Sequence, residues 1–493
     1  MPLRLYNTLS ARLEEFRPLE NNLVRMYSCG PTVYDYGHIG NFRTFVAVDI
    51  LRRFLRQSGY KLDHVMNITD VDDKIIRNAG AAGVEIREYA EKYEKAFLED
   101  SGILGLERTE ELVRATDHVP QMAHFIRELE EKGFAYRTED GSYYFRIAKF
   151  PEYGKLSKKD FSGMEVGARV DVDEYEKDNA RDFALWKSPK PGEAHWETEI
   201  GSGRPGWHIE CSVMAMKYLG QTLDLHAGGE DLIFPHHENE IAQSESLTGK
   251  PFAHFWMHVR FLLVEGEKMS KSLGNFYTLR DLVLKGHKPS SIRYLLASVP
   301  YRKQLNFTFD GLRQATASVE RLRNFQVRLQ RPNLPKGSTA EIAKLAEETE
   351  VKFTAALDDD LNTAEALGAI FEMVRQVNAA SDKSEVRVGD AARLLQVLAK
   401  FDQIFDVLTD RDAERAKIVL DWARGHGKEI SAEAKMLVAE AAIDDTQIER
   451  LVAERNQAKK SRNFTLADQI RQQLAGQGII LEDTKDGVRW KRK

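Results

Sequence analysis

Residues 23–60, LVRMYSCGPTVYDYGHIGNFRTFVAVDILRRFLRQSGY, read as strand, turn and helix, and that order decides the fold. LVRMYS is a short apolar run suited to a buried strand, and CGPTVYDYGHIGN is dense in turn formers. Phe42, Phe45, Val46, Ile50, Phe54 and Leu55 then recur close to helical period. KLDHVMNITDVDDKI, from Lys61, reads as a second strand that ends in polar loop residues. Strands alternating with helices predict an α/β fold with a parallel sheet, in which ligands sit at the carboxyl ends of the strands. Both polar loops fall at such ends.

Further out the pattern changes twice. From about Pro120 to Ser202, after the helical stretch PQMAHFIRELEEKGF, short segments such as GSYYFRI, YGKLSKKD and GARVDVDEYEKDNARDFALWK predict an inserted β-rich module. Past Ser272, ASVERLRNFQVRLQ, EETEVKFTAALDDDLNTAEALGAIFEMVRQVNAA and RLLQVLAKFDQIFDVL carry apolar faces at period 3.6, which predicts a helix bundle. Residues 382–390 and 409–435 read as connectors, the latter partly helical. The expected division is 1–119 and 203–315 for the two halves of the sheet domain, 120–202 for the insertion, 316–408 for the bundle, and 409–493 for a linker and a small terminal domain.

Composition excludes several classes. A chain of 493 residues that is 42% hydrophobic can bury large cores, and no run of about 18 apolar residues marks a membrane span. The first sixteen residues carry charge and no apolar leader, and two cysteines, Cys29 and Cys211, make no disulfide framework, so the expectation is a cytoplasmic protein. A net charge of −6 argues against wholesale coating of nucleic acid but leaves room for local basic patches.

Two stretches suit phosphate. In GHIGN, Gly37 and Gly40 permit close backbone approach, His38 offers a donor, and the following helix presents free N–H groups to an anion. In EKMSKSLGN, Lys268 and Lys271 sit on a short Ser- and Gly-rich segment that can bring two ammonium groups onto a polyphosphate. A structural turn histidine and a solvated charged loop satisfy the same letters. A third constellation is softer. If a helix begins at Pro235 in PHHENEIAQSESL, His236 and Glu240 leave one face, four residues apart, and with the thiols of Cys29 and Cys211 they make a donor set suited to zinc. The thiols are 182 residues apart in the chain, so two buried free thiols and two capping histidines remain an equally consistent reading of the spacing.

Together GHIGN and KMSKS resemble the two signatures of class I aminoacyl-tRNA synthetases, the second to the letter at Lys268 to Ser272, the first with Asn41 in place of a final histidine. Asparagine still donates a hydrogen bond but cannot become cationic. CGPTVYDYGHIGN, NITDVDDKI, GSGRPGWHIECS, GGEDLIFPHHENEIAQ, EKMSKSLGN and the tail RNQAKKSRNFTLADQIRQQLAGQGIILEDTKDGVRW, in that order, resemble the cysteinyl-tRNA synthetases across nearly the whole chain. The resemblance implies a Rossmann-type catalytic domain with a β-rich insertion, followed by a helical bundle and a small anticodon-binding domain. It implies one zinc ion on Cys29, Cys211, His236 and Glu240, with His237 a neighbour; ATP with magnesium held by Gly37, His38, Gly40, Asn41, Lys268 and Lys271; and catalysis by His38, Lys268 and Lys271. It also implies that Thr69, Trp207 and Asp231 line the pocket for L-cysteine, that tRNA(Cys) is the partner, and that the protein works as a monomer without membrane association. Those three pocket residues also read as a helix cap, a core side chain and a turn former.

The implied metal has a chemical reason. A pocket that only senses shape separates cysteine from serine about 10²-fold, whereas translation requires roughly 10⁴ to 10⁵. Zinc favours thiolate, and a thiol ionises on a metal far more readily than an alkyl hydroxyl. The expected consequence is rejection of serine without a hydrolytic editing domain, for which the 120–202 insertion is too short. The segment from Thr446 to Lys493 carries eleven Lys and Arg against six Asp and Glu, with Lys459, Lys460 and Arg462 together and Trp490 in a basic ending, as suits stacking on anticodon bases. Two alternatives remain: a ligase that transfers activated cysteine to an amino sugar, which lacks the distal domain, and a non-catalytic RNA binder, which has no use for His38, Lys268 and Lys271.

Overall fold

The computed structural model describes residues 2–159, 182–190, 192–439, 445–476, 479–484 and 487–492. At its centre, the strands Glu111–Arg114, Lys61–Ile68, Leu23–Ser28, Leu223–Gly229 and Ala253–Val259 lie side by side in that order, all parallel. The chain builds outward from Leu23–Ser28 to one edge, then returns to build the other. The order reverses between Leu23–Ser28 and Leu223–Gly229, which pair through Leu225 with Met26 and Ala227 with Ser28. A crevice opens at the carboxyl ends of two strands whose connections leave in opposite directions, so this is where a ligand fits.

The helix Ile39–Gln57 follows the first strand and buries Phe42, Phe45, Val46, Ile50, Phe54 and Leu55 on the sheet, as their period required. At the far edge, an N-terminal hairpin of Arg4–Asn7 with Arg12–Glu15 covers Ala253–Val259: Asn7 donates to the His254 carbonyl at 2.8 Å, and the Thr8 N–H to that of Trp256 at 2.9 Å. That covering removes an edge that would otherwise invite pairing with another chain.

The inserted module is a helix, Val119–Glu131, with an antiparallel sheet of five strands between Ala135 and Pro205. Its sheet runs three residues beyond the Ser202 boundary read from sequence. YGKLSKKD forms turns over its described part, not a strand, and most of GARVDVDEYEKDNARDF lies outside the described residues. Glu238 ties the module to the crevice: its buried carboxylate accepts the backbone N–H groups of Gly154 at 2.9 Å and Ser157 at 2.7 Å.

The C-terminal half is helical. The long apolar stretch from Glu347 divides into Ala340–Asp358 and Thr363–Asp382, with Asp360 and Leu361 between them at φ of 59° and 52°. Val388–Phe405 and Asp412–Gly425 follow, so both presumed connectors are partly helix. Arg293, fully buried, clamps this region to the sheet domain by pairing with Asp49 at 2.6 Å and donating to the carbonyls of Phe405 and Leu104. The last unit, helices Asp445–Lys460 and Phe464–Gly476 with the hairpin Ile479–Thr484 and Gly487–Arg492, has its own small core of Ile448, Val452, Ile470, Leu474, Ile479 and Leu481. Trp490 sits across from Leu481 and packs against that core, so it is half a core residue rather than a free stacking platform. No described helix is long and apolar enough to cross a membrane.

Candidate active site and metal centre

The loop that leaves Leu23–Ser28 carries Cys29 at its start and His38 at its end. His38 is the N-cap of Ile39–Gln57: its Nδ1 accepts the Asn41 N–H at 3.1 Å, while the Asn41 side-chain oxygen accepts the His38 N–H at 3.1 Å. With Nδ1 committed as an acceptor, the ring proton stands on Nε2 and is free to be donated. Burial, helped by the charge of Lys271, pushes His38 down to about 4, so it acts as a neutral donor at pH 7. Asn41, where the signature has histidine, completes this reciprocal cap. A Cβ on Gly40 would lie 2.9 Å from the His38 ring and 3.2 Å from the Met269 methyl, so glycine is needed where the two signatures meet.

The second signature folds over the first. Lys271 Nζ lies 2.7 Å from Asp35 and 5.1 Å above the Phe276 ring, which itself packs edge-on to His38. Asn275 staples the turn by accepting the Ser270 N–H at 2.7 Å and donating to the Lys268 carbonyl at 3.2 Å. Lys268 and Lys271 are both exposed, and among the described residues Asp35 is the acidic partner that holds Lys271 in place.

Deeper in the crevice the thiols, imidazole and carboxylate come together. Cys29 Sγ and Cys211 Sγ are 4.0 Å apart, His236 Nε2 is 2.9 Å from Glu240 Oε1, and the four ligand atoms all lie within 4.8 Å of one another. All four residues are buried. Ligands of a tetrahedral zinc ion at about 2.0–2.3 Å are about 3.3–3.8 Å from one another, so these separations bracket what zinc requires. Two sulfurs, one nitrogen and one oxygen are also its customary donors. Phe234 is extended at φ −142°, ψ 131°, and helical backbone begins at Pro235, runs as a wider turn through His236 and His237, and continues into Glu238–Thr248. His236 still reaches Glu240.

A second set, Cys29, His226, His237 and Glu240, shares two of these residues and is as tightly gathered. His237 is otherwise engaged. Its Nδ1 lies 2.8 Å from His258 Nε2, whose Nδ1 is 2.8 Å from the Thr8 hydroxyl, and its own Nε2 is 3.2 Å from Cys29 Sγ. One proton on each Nε2 satisfies the whole chain, and burial holds both rings neutral, with His258 at about 3 and His237 well below its usual range. His237 therefore serves as a hydrogen-bond donor to the Cys29 sulfur. His226 Nε2 meets the other Glu240 oxygen at 2.7 Å.

Electrostatics prepare the donors. Burial alone would raise Glu240, yet His226 and His236 hold it at about 2. Burial would lower His236, but Glu240 and Cys211 bring it to about 10. Cys211 is likewise raised by burial and then pulled to about 6 by hydrogen bonding with Cys29 and the charge of His236, whereas burial and Cys211 push Cys29 well up. His236 thus favours the charged forms of Glu240 and Cys211, and they favour its own.

Of the three residues expected to line an amino acid pocket, Trp207 and Asp231 lie against this cluster and Thr69 bonds to Glu210, next to Cys211 in the chain. Trp207, half-buried at the start of helix Trp207–Leu219, stacks on His236 with centroids 4.3 Å apart. The Asp231 carboxylate passes over Gly229, where an added Cβ would come within 2.4 Å of it, and its charge acts on Cys29. Thr69 is buried, and Asp72, not Thr69, caps the next helix. Sequence reading missed His226, His258, Asn67 and Glu210. The only trace of the two histidines was their placing inside apolar strand text, LDLHAGG and HFWMHV.

Comparison with known proteins bears on these placements. Residues 15–317 match the family described as the class I (C) tRNA synthetase catalytic domain, and residues 352–409 match the DALR domain. Over its full length the chain is 67% identical to the cysteine--tRNA ligase of Koribacter versatilis, across 495 residues and all of that protein. It is 58% identical to that of Solibacter usitatus over 493 residues, again with both chains fully covered, and 44% identical to that of Thermococcus onnurineus, covering 99% of it. In fold it is similar to Mycobacterium tuberculosis methionyl-tRNA synthetase in complex with methionyl-adenylate, with a TM-score of 0.56 at 15% identity, covering 86% of this chain and 95% of that one. The Agrobacterium radiobacter LeuRS in a ternary complex with tRNA and LeuAMS gives a TM-score of 0.58 at 12% identity, covering 86% and 88%.

Proposed function

The chain belongs to the cysteine--tRNA ligases, class I aminoacyl-tRNA synthetases that use ATP, and from that premise we propose that the buried Cys29, Cys211, His236 and Glu240 hold one zinc ion that selects cysteine by its thiol. Bound there, zinc would supply a borderline-soft Lewis acid that takes a thiol as thiolate and takes an alkyl hydroxyl poorly. The observation that carries the reading is the convergence of these four donors at the switch point of the sheet, beside the loop that ends in His38.

The residues around it supply position. Trp207, against His236, forms one wall of the amino acid pocket, and Asp231 offers a carboxylate to the α-ammonium. Gly37 and Gly40 let the ATP phosphates approach the backbone at the start of Ile39–Gln57, and Asn41 keeps His38 in place there. His38 donates from Nε2, while Lys268 and Lys271, with magnesium, stabilise the charge that develops as the amino acid carboxylate attacks the α-phosphorus and pyrophosphate leaves. No protein nucleophile is needed. The cysteinyl group then passes to the 3′ end of tRNA(Cys), whose anticodon the terminal unit reads with Lys459, Lys460 and Arg462. We take the protein to work as a monomer; 1–119 with 203–315 would do the chemistry, 120–202 would brace it, and 316–493 would hold the tRNA.

The test is aminoacylation by purified protein with ATP, magnesium and bulk tRNA, using labelled cysteine and labelled serine in parallel. Cysteine alone on tRNA supports the proposal. Serine charged at a comparable rate would refute the selecting role, and adenylate without charging would point to a small-molecule acceptor.

A further inference from the structure

Beside the metal ligands lies a short relay of hydrogen bonds whose direction can be read without seeing a hydrogen. The Gly30 N–H donates to Asn67 Oδ1 at 2.9 Å, which fixes the amide so that Nδ2 faces away. Nδ2 donates in turn to Thr69 Oγ1 at 3.0 Å. The Thr69 proton cannot point back at a donor, and it goes to Glu210 Oε2, 3.0 Å on the other side. All three side chains are buried, with 1–2% of their surface exposed. A hydroxyl so held has spent its proton and one lone pair, and only an acceptor lone pair remains.

We infer that Glu210 is a positioning residue for the amino acid: by taking the Thr69 proton it makes that hydroxyl an acceptor, which reads the substrate's α-ammonium and turns its carboxylate away. This rests on the reading that the metal set holds the thiol and that Thr69 lines the pocket. An ammonium has three protons to donate and accepts nothing, so an acceptor fits it; a carboxylate needs donors and is repelled. Orientation is the useful result, since the carboxylate must be left for the α-phosphate.

A purely structural account of Glu210 exists. It lies in the first turn of Trp207–Leu219, where a negative charge is favoured by the helix dipole. A dipole role needs an ionised group, whereas this carboxyl is buried against a hydroxyl and pushed well above its usual range by that burial and by Cys211.

The two accounts separate in a binding experiment on the zinc-loaded protein, titrated with L-cysteine and with 3-mercaptopropionate, which keeps thiol and carboxylate but lacks the ammonium. The ratio of the two dissociation constants isolates what the ammonium contributes. Thr69→Val and Glu210→Met are each expected to lower that preference for cysteine about ten-fold, the size of one hydrogen bond to a charged group. The double variant should lose no more than either single change, because both remove one interaction. Glu210→Gln, whose amide oxygen still accepts the proton, should stay within about three-fold of wild type. Equal weakening of both ligands by Glu210→Met would make the residue a structural prop, and a double variant losing the product of the single effects would make it a direct charge on the ammonium; either overturns the inference. If the Met variant does not fold, a ten-fold fall in the Gln variant overturns it as well. Failure of the metal reading would look different: wild type would then bind cysteine no better with zinc than without.

Discussion

The two ends of the crevice are built on opposite plans. At the end proposed to hold a metal, Cys29, Cys211, His236 and Glu240 are at most 7% exposed, and their neighbours His226, His237 and His258 are locked by hydrogen bonds of 2.7–2.8 Å. At the phosphate end, Lys268 and Lys271 are open to water, and the Lys271 ammonium rests on Asp35 with two-thirds of its side chain exposed. Selectivity between a thiol and a hydroxyl needs a fixed donor set, because a site that relaxes admits both ligands. Charge neutralisation on a polyphosphate needs mobile cations that let pyrophosphate leave.

The largest effect should come from breaking the fixed end. Cys211→Ser or Glu240→Gln is expected to strip the metal and lower cysteine activation by more than about 10³-fold, since even partners outside the ligand shell typically cost 10- to 100-fold. Pyrophosphate exchange with metal analysis checks both halves of that statement. Next, Lys268→Ala or Lys271→Ala should reduce kcat by about 10²- to 10³-fold while leaving cysteine binding within about two-fold, because these groups act on charge that develops only in the transition state. Loss of cysteine affinity in the same variants would erase the contrast between the two ends.

Acid should distinguish them too. His64 is buried beneath the first strand, Nε2 2.8 Å from the Ser28 hydroxyl and Nδ1 3.0 Å from Arg52, and burial with the Arg52 charge holds it at about 3. The unfolded chain takes up that proton near its ordinary value of 6.5, so stability is intact above that pH and falls steadily as pH drops towards 3. At pH 5 the loss is about 2 kcal/mol. Urea unfolding at pH 7 and pH 5 should show it, and His64→Gln should shrink the difference by about that much, with His38, His237 and His258, also held low by burial, supplying the rest. The smallest effect is Asp35→Asn, which frees an exposed pair contributing at most about 1 kcal/mol and should change the KM for ATP by less than about five-fold.

How much of this was written in the text depends on how far apart the pieces lie. The strand, turn and helix of residues 23–60 were legible because period and turn residues are local properties, whereas the capping role of His38 was not read, since the sequence offered its ring only as a donor or a turn residue. Lys268 and Lys271 were legible from a contiguous signature. The metal set was not, on spacing alone: Cys29 and Cys211 come from loops or helices on either side of the topological reversal, and only the pairing of Leu23–Ser28 with Leu223–Gly229 brings them to 4.0 Å. His226 and His258 were invisible for the same reason, each one of two polar letters, beside Asp224 and His254, in strands that become neighbours only in the folded sheet. The helix start at Pro235 was legible for a local reason, a proline whose predecessor is forced out of helical geometry. Asn67, Thr69 and Glu210 could be seen as a unit only once the direction of each hydrogen bond was known.

The central claim, that a prebuilt sulfur-rich centre recognises the substrate's own sulfur, is tested most directly by zinc-edge X-ray absorption of the protein before and after adding L-cysteine. The account predicts one zinc per chain with two sulfur neighbours at about 2.3 Å, rising to three when cysteine is added and unchanged by serine. A shell of nitrogen and oxygen alone, or a sulfur count that cysteine leaves at two, would contradict it.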